Sequence, residues 1–232
     1  MSAKTPDING GVEFPVPVGW ADSPAAVSMA VWCRITDTSP TNAIVGRHNA
    51  SSAGWHLRIR TGGNFQVQLN RATTSCGGDT TDAPIITGEW MCLAGSLNTA
   101  GTPFAATGTL NRPMTLNAGS FVAGSGTVNS HAGLPVKLLN RGSAGVLTTG
   151  AVGEVAVAAF WERALTLKEL TDWQLEPFTT QRHGMKFLCA PHAFGDEPVN
   201  LIDGAKGAYV GSCFPYDTPG FITRLPLLRW LR

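Results

Sequence analysis

The stretch Gly150-Ala-Val-Gly-Glu-Val-Ala-Val-Ala-Ala-Phe-Trp-Glu-Arg-Ala-Leu-Thr-Leu-Lys-Glu-Leu170 decides the fold. Val152, Glu154, Ala156 and Ala158 alternate with Gly153, Val155, Val157 and Ala159, and small apolar residues fill both sets. A strand covered on both faces reads this way. Thr166 then stands three residues before Glu169. That is a capping box, in which hydroxyl and carboxylate each take the other residue's backbone amide. Leu167, Leu170 and Trp173 or Gln174 form the apolar side of about three helical turns, and Pro177 stops them. The segment is a strand that runs straight into a short helix.

Working outward, the preceding chain is a series of strands. Val27 to Ile35 alternates and is rich in strand formers, and Asn42 to Arg47 reads as a second strand. Trp55 to Arg60, then Thr61-Gly-Gly-Asn64, then Phe65 to Asn70 is a hairpin whose adjacent glycines supply the positive φ of its turn. Trp55, Leu57, Ile59, Phe65, Val67 and Leu69 share one phase and predict a core face. His56, Arg58, Arg60, Gln66 and Gln68 share the other and predict a polar, solvent-facing surface. Thr87 to Leu97, Phe104 to Leu110, Met114 to Leu116 and Pro135 to Leu139 complete the series, with residues 117–133 read as a long Gly/Ser/Ala-rich loop.

The closing segment resembles that of laminin-G-like (concanavalin A-like) jelly rolls, in which an acidic strand runs into "NRALSxxEI". Here Glu154 takes the acidic position and Trp161-Glu-Arg-Ala-Leu-Thr-Leu-Lys-Glu-Leu170 the rest. Gly88, Trp90 and Ala94 match the family's "GxWxxxAxxx" strand. The resemblance covers residues 27–178. It implies an all-β chain, a concanavalin A-like antiparallel β-sandwich (jelly roll) with one short helix. Outside it, residues 1–26 hold Pro6, Pro15, Pro17 and Pro24 and read as an irregular N-terminal arm with at best an edge strand. Residues 179–232 hold five prolines and little periodicity. They read as an irregular C-terminal extension packing on the domain or on a neighbour, so extended terminal arms are expected. The family departs from this chain at one acidic site, where Ile-Asp-Glu is replaced by Val152, Gly153 and Glu154.

Composition excludes several functions. Charged residues are 14% of 232, the net charge is +1, and no acidic residue stands between Glu89 and Glu154. Arg112, Lys137 and Arg141 are the basic residues of that interval, so no basic patch exists to neutralise phosphates, and nucleic acid is not an expected partner. No apolar run approaches membrane length, and Met1 to Pro6 lacks the apolar core of a leader, so synthesis in a cytoplasm is expected. Five cysteines without Cys-x-x-Cys spacing read as reduced apolar groups, with a Cys76–Cys92 bridge the open alternative.

Catalytic strings are absent. Laminarinase-type glucanases share the resembled fold and carry Glu-x-Asp-x-x-Glu on one strand, and no such string occurs here. There is no Gly-x-Ser-x-Gly elbow either. The chain is therefore read as non-enzymatic, without a cofactor or metal. Calcium, which some relatives hold, would have Asp79, Asp82 and Asp203 as candidates.

Two functions follow. In many phage tail and virion proteins a fragment like Asn200 to Gly211 trails the jelly roll, after a stop like Leu175-Glu-Pro-Phe178. That resemblance implies a virion structural protein, a capsid decoration or a fibre- or tail-associated module. Its expected place is the virion and its partners other virion proteins or further copies of itself. Trp20, Leu227, Leu228 and Trp230 are the apolar candidates for contact with a neighbour. The alternative is a lectin-like carbohydrate-binding module for surface glycans of a host. Arg58, Arg60, Gln66, Gln68 and Asn70 on the polar face of the hairpin are its candidate contacts.

Overall fold

The computed structural model describes residues 2–5, 9–39, 42–49, 53–140, 150–191 and 197–216. Leu227, Leu228 and Trp230 lie outside the described residues. The described residues form two antiparallel eight-stranded sheets, A and B.

Sheet A runs, in spatial order, through Arg112–Leu116 (β10), Phe104–Thr109 (β9), Trp90–Asn98 (β8), Ala26–Ile35 (β3) and Gly153–Trp161 (β13). Beyond β13 the edge is shared. Ser2–Thr5 (β1) pairs with its first residues and Met185–Cys189 (β14) with its last. Phe214–Tyr216 (β16) then pairs with β1. Sheet B runs through Gly119–Val122 (β11), Cys76–Thr80 (β7), Phe65–Leu69 (β6), Gly54–Ile59 (β5), Ala43–His48 (β4), Val136–Leu138 (β12), Gly11–Glu13 (β2) and Ala208–Val210 (β15).

One core fills the space between the sheets. Sheet A contributes Val27, Met29, Val31, Leu93 and Phe160, and sheet B contributes Ile44, Trp55, Leu57, Phe65, Val67 and Leu138. A second core lies on the other side of sheet A, under the helix Leu167–Leu175 (α1). There Trp32, Ala94, Ala106, Val157, Ala159 and Trp161 meet Leu170 and Trp173. This explains the opening stretch: β13 is buried along its whole length because it carries a core on each face. The capping box forms, with the Glu169 amide donating to Thr166 Oγ1 at 3.2 Å and the Thr166 amide to Glu169 Oε2 at 2.8 Å. Gln174 ties the helix to the β9–β10 hairpin by donating to the carbonyls of Thr109 and Arg112, both at 2.8 Å.

The β5–β6 hairpin closes through a tight turn with Gly62 and Gly63 at φ 78° and 81°, conformations that only glycine adopts freely. Three expectations need correction. Residues 1–26 are not an extended arm: β1 lies between β13 and β16, and β2 between β12 and β15. Both strands fall in the proline-free stretches, and Pro15, Pro17 and Pro24 occupy the connection to β3. Residues 179–232 are not irregular throughout, since β14, β15 and β16 all pair within the domain. The presumed loop 117–133 contains β11, and the Gly-rich Cys76–Thr80 is a full strand of sheet B. All five cysteines are free and buried, so Cys76 and Cys92 are not bridged.

Candidate functional site

Side chains alternate along β5 and β6. Trp55, Leu57, Ile59, Phe65, Val67 and Leu69 point into the core, each at most 1% exposed. His56, Arg58, Gln66 and Gln68 therefore stand on the outer face of sheet B. The register aligns them in rows across the strands. Arg58 faces Gln66, which faces Asp79 on β7. His56 faces Gln68 on one side and Gly46 of β4 on the other. Lys137 of β12 then faces Gly46, and Glu13 of β2 faces Lys137.

Hydrogen bonds fix this surface. Gln68 Nε2 donates to Asn70 Oδ1 at 2.6 Å and to Ser75 Oγ at 2.9 Å. His56 Nε2 lies 3.1 Å from Gln66 Oε1, and the His56 and His48 rings meet edge-to-face at 4.3 Å. Arg60 Nε stands 3.4 Å from Asp79 Oδ1. Arg60, Asp79, Thr61, Asn64 and Thr80 line a polar hollow of about 320 Å³ at the turn end of the hairpin. At the far end of the face, Lys137 Nζ pairs with Glu13 Oε2 at 2.9 Å.

The structure brings Arg58, Arg60, Gln66 and Gln68 together, all half-buried or half-exposed. Asn70 differs. It is only 6% exposed, and its side chain holds Gln68 from beneath rather than standing on the open face. His56 is likewise not a surface residue. It is 2% exposed, because His48 and Gln66 close around its ring. Asp79 belongs to the face as the partner of Arg60, a role hidden in the sequence because its strand is Gly-Gly-rich.

Trp20 does not stand free as an anchor for a neighbouring chain. Its ring stacks on Phe160 at 5.3 Å and 16°, and Phe160 stacks on Trp55 at 4.1 Å and 5°. Arg47, itself 2% exposed, reaches within 5.7 Å of the same indole. Part of Trp20 remains on the wall of a cavity at the rim of the sandwich.

The acidic position of the closing strand is also occupied differently from an open site. Glu154 is 1% exposed and accepts from Arg34 Nη2 at 2.5 Å, and the Arg34 guanidinium lies 5.7 Å from the Trp90 ring centre. The neighbouring Gly153 has φ 155°, and a Cβ there would lie 2.3 Å from the Arg34 carbonyl oxygen. The strand packing itself excludes a second carboxylate at that point. Asp79, Asp82 and Asp203 do not converge as calcium ligands. They face Arg60, Asn117 with the Ala118 amide, and the Ala205 amide respectively. Among the described residues no three Asp, Glu, His or Cys side chains gather closely enough to hold a metal ion.

Two stacked antiparallel sheets, one with a helix-backed face and one with a fixed polar outer face, define a lectin-like jelly roll. The chain belongs to the concanavalin A-like lectin/glucanases superfamily, whose family model matches residues 6–171. No curated protein sequence matches the chain. Solved structures share the architecture at low identity. A Bacteroides ovatus protein provisionally assigned as carbohydrate-binding superposes with TM-score 0.62 at 15% identity, over 91% of this chain and 61% of that one. The chain thus spans about three fifths of that relative's length. The Ruminococcus gnavus IT-sialidase CBM40 bound to α2,3-sialyllactose gives 0.53 at 12%, over 74% and 96%. The heptameric SAP-like pentraxin of Limulus polyphemus gives 0.52 at 12%, over 74% and 80%. At these identities the likeness is one of fold.

Proposed function

We propose that the protein is a non-enzymatic carbohydrate-binding module whose outer face of sheet B contacts glycans. The observation that carries this reading is the in-register row Arg58, Gln66 and Asp79, with Gln68 fixed beside it by Asn70 and Ser75. Amide, guanidinium and carboxylate groups in one plane can donate to and accept from sugar hydroxyls. Gln66 is held by His56, Gln68 by Asn70 and Ser75, and Asp79 by its ion pair with Arg60 before any ligand arrives, which lowers the ordering cost of binding. Superposition on carbohydrate-binding folds supports the same choice.

Carboxylate placement supports a binding role over hydrolysis. On this face Asp79 and Glu13 are separated by five strand spacings, about 24 Å, whereas glycosidases hold their two carboxyls roughly 5–10 Å apart. The virion reading takes Trp20, Leu227, Leu228 and Trp230 as contacts with a neighbour; Trp20 packs on Phe160 and beside Arg47, and the other three lie outside the described residues.

A glycan array probed with the full chain tests the proposal. Binding should be weakened about tenfold or more by the double substitution Arg60→Ala/Gln66→Ala, the loss of one or two hydrogen bonds at about 1 kcal/mol each. An array without a hit, or one unchanged by the double variant, overturns it.

A further inference from the structure

We infer that the rim cavity beside Trp20 is a separate binding site for a neutral hexopyranose. The inference rests on the carbohydrate-binding reading and adds to it a second place and a sugar class. The cavity is about 410 Å³, within the roughly 300–1,000 Å³ of small-ligand sites. It lies where Phe187 of β14 packs against Phe14, just after β2, at 4.9 Å with Val136 of β12 also lining it, and none of the outer-face residues Arg58, Gln66 and Gln68 lines it. Phe14, Val136 and Phe187 form its apolar base, with Trp20 on one wall and Asn200 and Asp203 on the other.

Both walls are held rigidly. On the Trp20 side, Arg47 Nη1 donates to the Ala21 carbonyl at 3.3 Å, the Ala21 amide donates to Glu162 Oε1 at 2.7 Å, and the His131 amide donates to the Asp22 carbonyl at 2.6 Å. The three-ring stack fixes the indole itself. On the opposite side, Asn200 Oδ1 accepts the Leu188 amide at 3.0 Å and its Nδ2 donates to the Lys186 carbonyl at 3.2 Å. The loop is thereby sewn to the edge of β14. Asp203, whose Oδ1 accepts the Ala205 amide at 2.9 Å, is exposed and lines the cavity.

The chemistry of the lining selects the ligand. A pyranose has an apolar C–H face and a rim of hydroxyls, and it matches aromatic rings on one side and a hydroxyl acceptor on the other. Among the described residues no Lys, Arg or His lines the cavity, and Asp203 is the one charged group there. An acidic sugar or a phosphate would meet a carboxylate with no cation to offset it, so a neutral ring is the matching occupant.

The test is an amide and indole NMR titration of the full chain. The probes are methyl glucoside, methyl galactoside, methyl mannoside, maltotriose and lactose, with N-acetylneuraminic acid as the charged comparison. At least one neutral probe should shift the Trp20 indole N–H and the Ala205 amide. Asp203→Asn and Trp20→Ala should each weaken that binding tenfold or more, while Arg60→Ala leaves it unchanged. Asp203 is exposed, so its variant keeps the test open if Trp20→Ala fails to fold. Shifts confined to Gln66 and Gln68 would overturn the cavity site and leave the outer-face reading standing. Shifts caused only by the acidic sugar, or unaffected by Asp203→Asn, would also overturn it. Silence with every probe would overturn the cavity site, while the outer-face reading stands or falls on the glycan array.

Discussion

His131 is fully buried, and neither ring nitrogen has a hydrogen-bond partner. Burial, reinforced by the nearby Arg47 cation, lowers its pKa to about 4. Arg47 in turn faces Asp22 and Glu162. The unfolded chain takes up the proton near pH 6.5, while the folded chain resists it until about pH 4. Above pH 6.5 both states are neutral and the residue has no effect. As pH falls from 6.5 to 4 the unfolded state gains protons first, so stability drops, by roughly 3 kcal/mol at the lower limit. Urea titrations at stepped pH should show a steeper loss for the native chain than for His131→Leu; equal slopes would refute this. Little of it was legible beforehand. His131 sits in a stretch that reads as a Gly/Ser loop, and its burial depends on Arg47 and Asp22, far away in sequence. His56 was misplaced for the same reason: its phase along the strand was readable, but the ring that closes on it comes from the next strand. Arg58, Gln66 and Gln68 were readable because alternation alone places them on the outer face.

Elements with strong local signals behaved as their residues dictate. The helix is specified within ten residues, by Thr166, Glu169 and the spacing of Leu170 and Trp173. Thr166→Ala should remove the cap at a cost of about 1 kcal/mol, seen as a melting-point fall of roughly 2–4 °C. Glu169 also receives Arg163 at 2.8 Å, so the variant should keep its helix content by circular dichroism while losing stability. An unchanged melting point would mean that packing of Trp173 against Trp161 outweighs the cap. The short strands β1, β2, β11, β15 and β16 carry no comparable signal. Each spans three or four residues and owes its conformation to a partner elsewhere in the chain. Propensity over so few residues cannot outweigh glycine and proline neighbours, and only the finished sheet reveals them.

At the scale of the whole molecule, both ends of the described chain are strands of sheet A, β1 within it and β16 at its edge. Ala3 of β1 is fully buried between β13 and β16. Ala3→Asp should therefore destabilise the protein by about 3 kcal/mol or more, as a charge placed in a core does. Denaturant unfolding measures this directly, and a native-like midpoint would return residues 1–26 to the status of a loose arm. The jelly-roll class was readable from β13, α1 and the β5–β6 hairpin, because local pattern and global packing agree there. The braiding of the ends was not, since it joins residues about two hundred positions apart. That braiding orders events during synthesis. Strand β1 lacks one of its two neighbours until residues 214–216 emerge, and β2 waits in the same way for 208–210. Until then the nascent polypeptide carries an unzipped seam in each sheet, an open edge of the kind that invites mispairing.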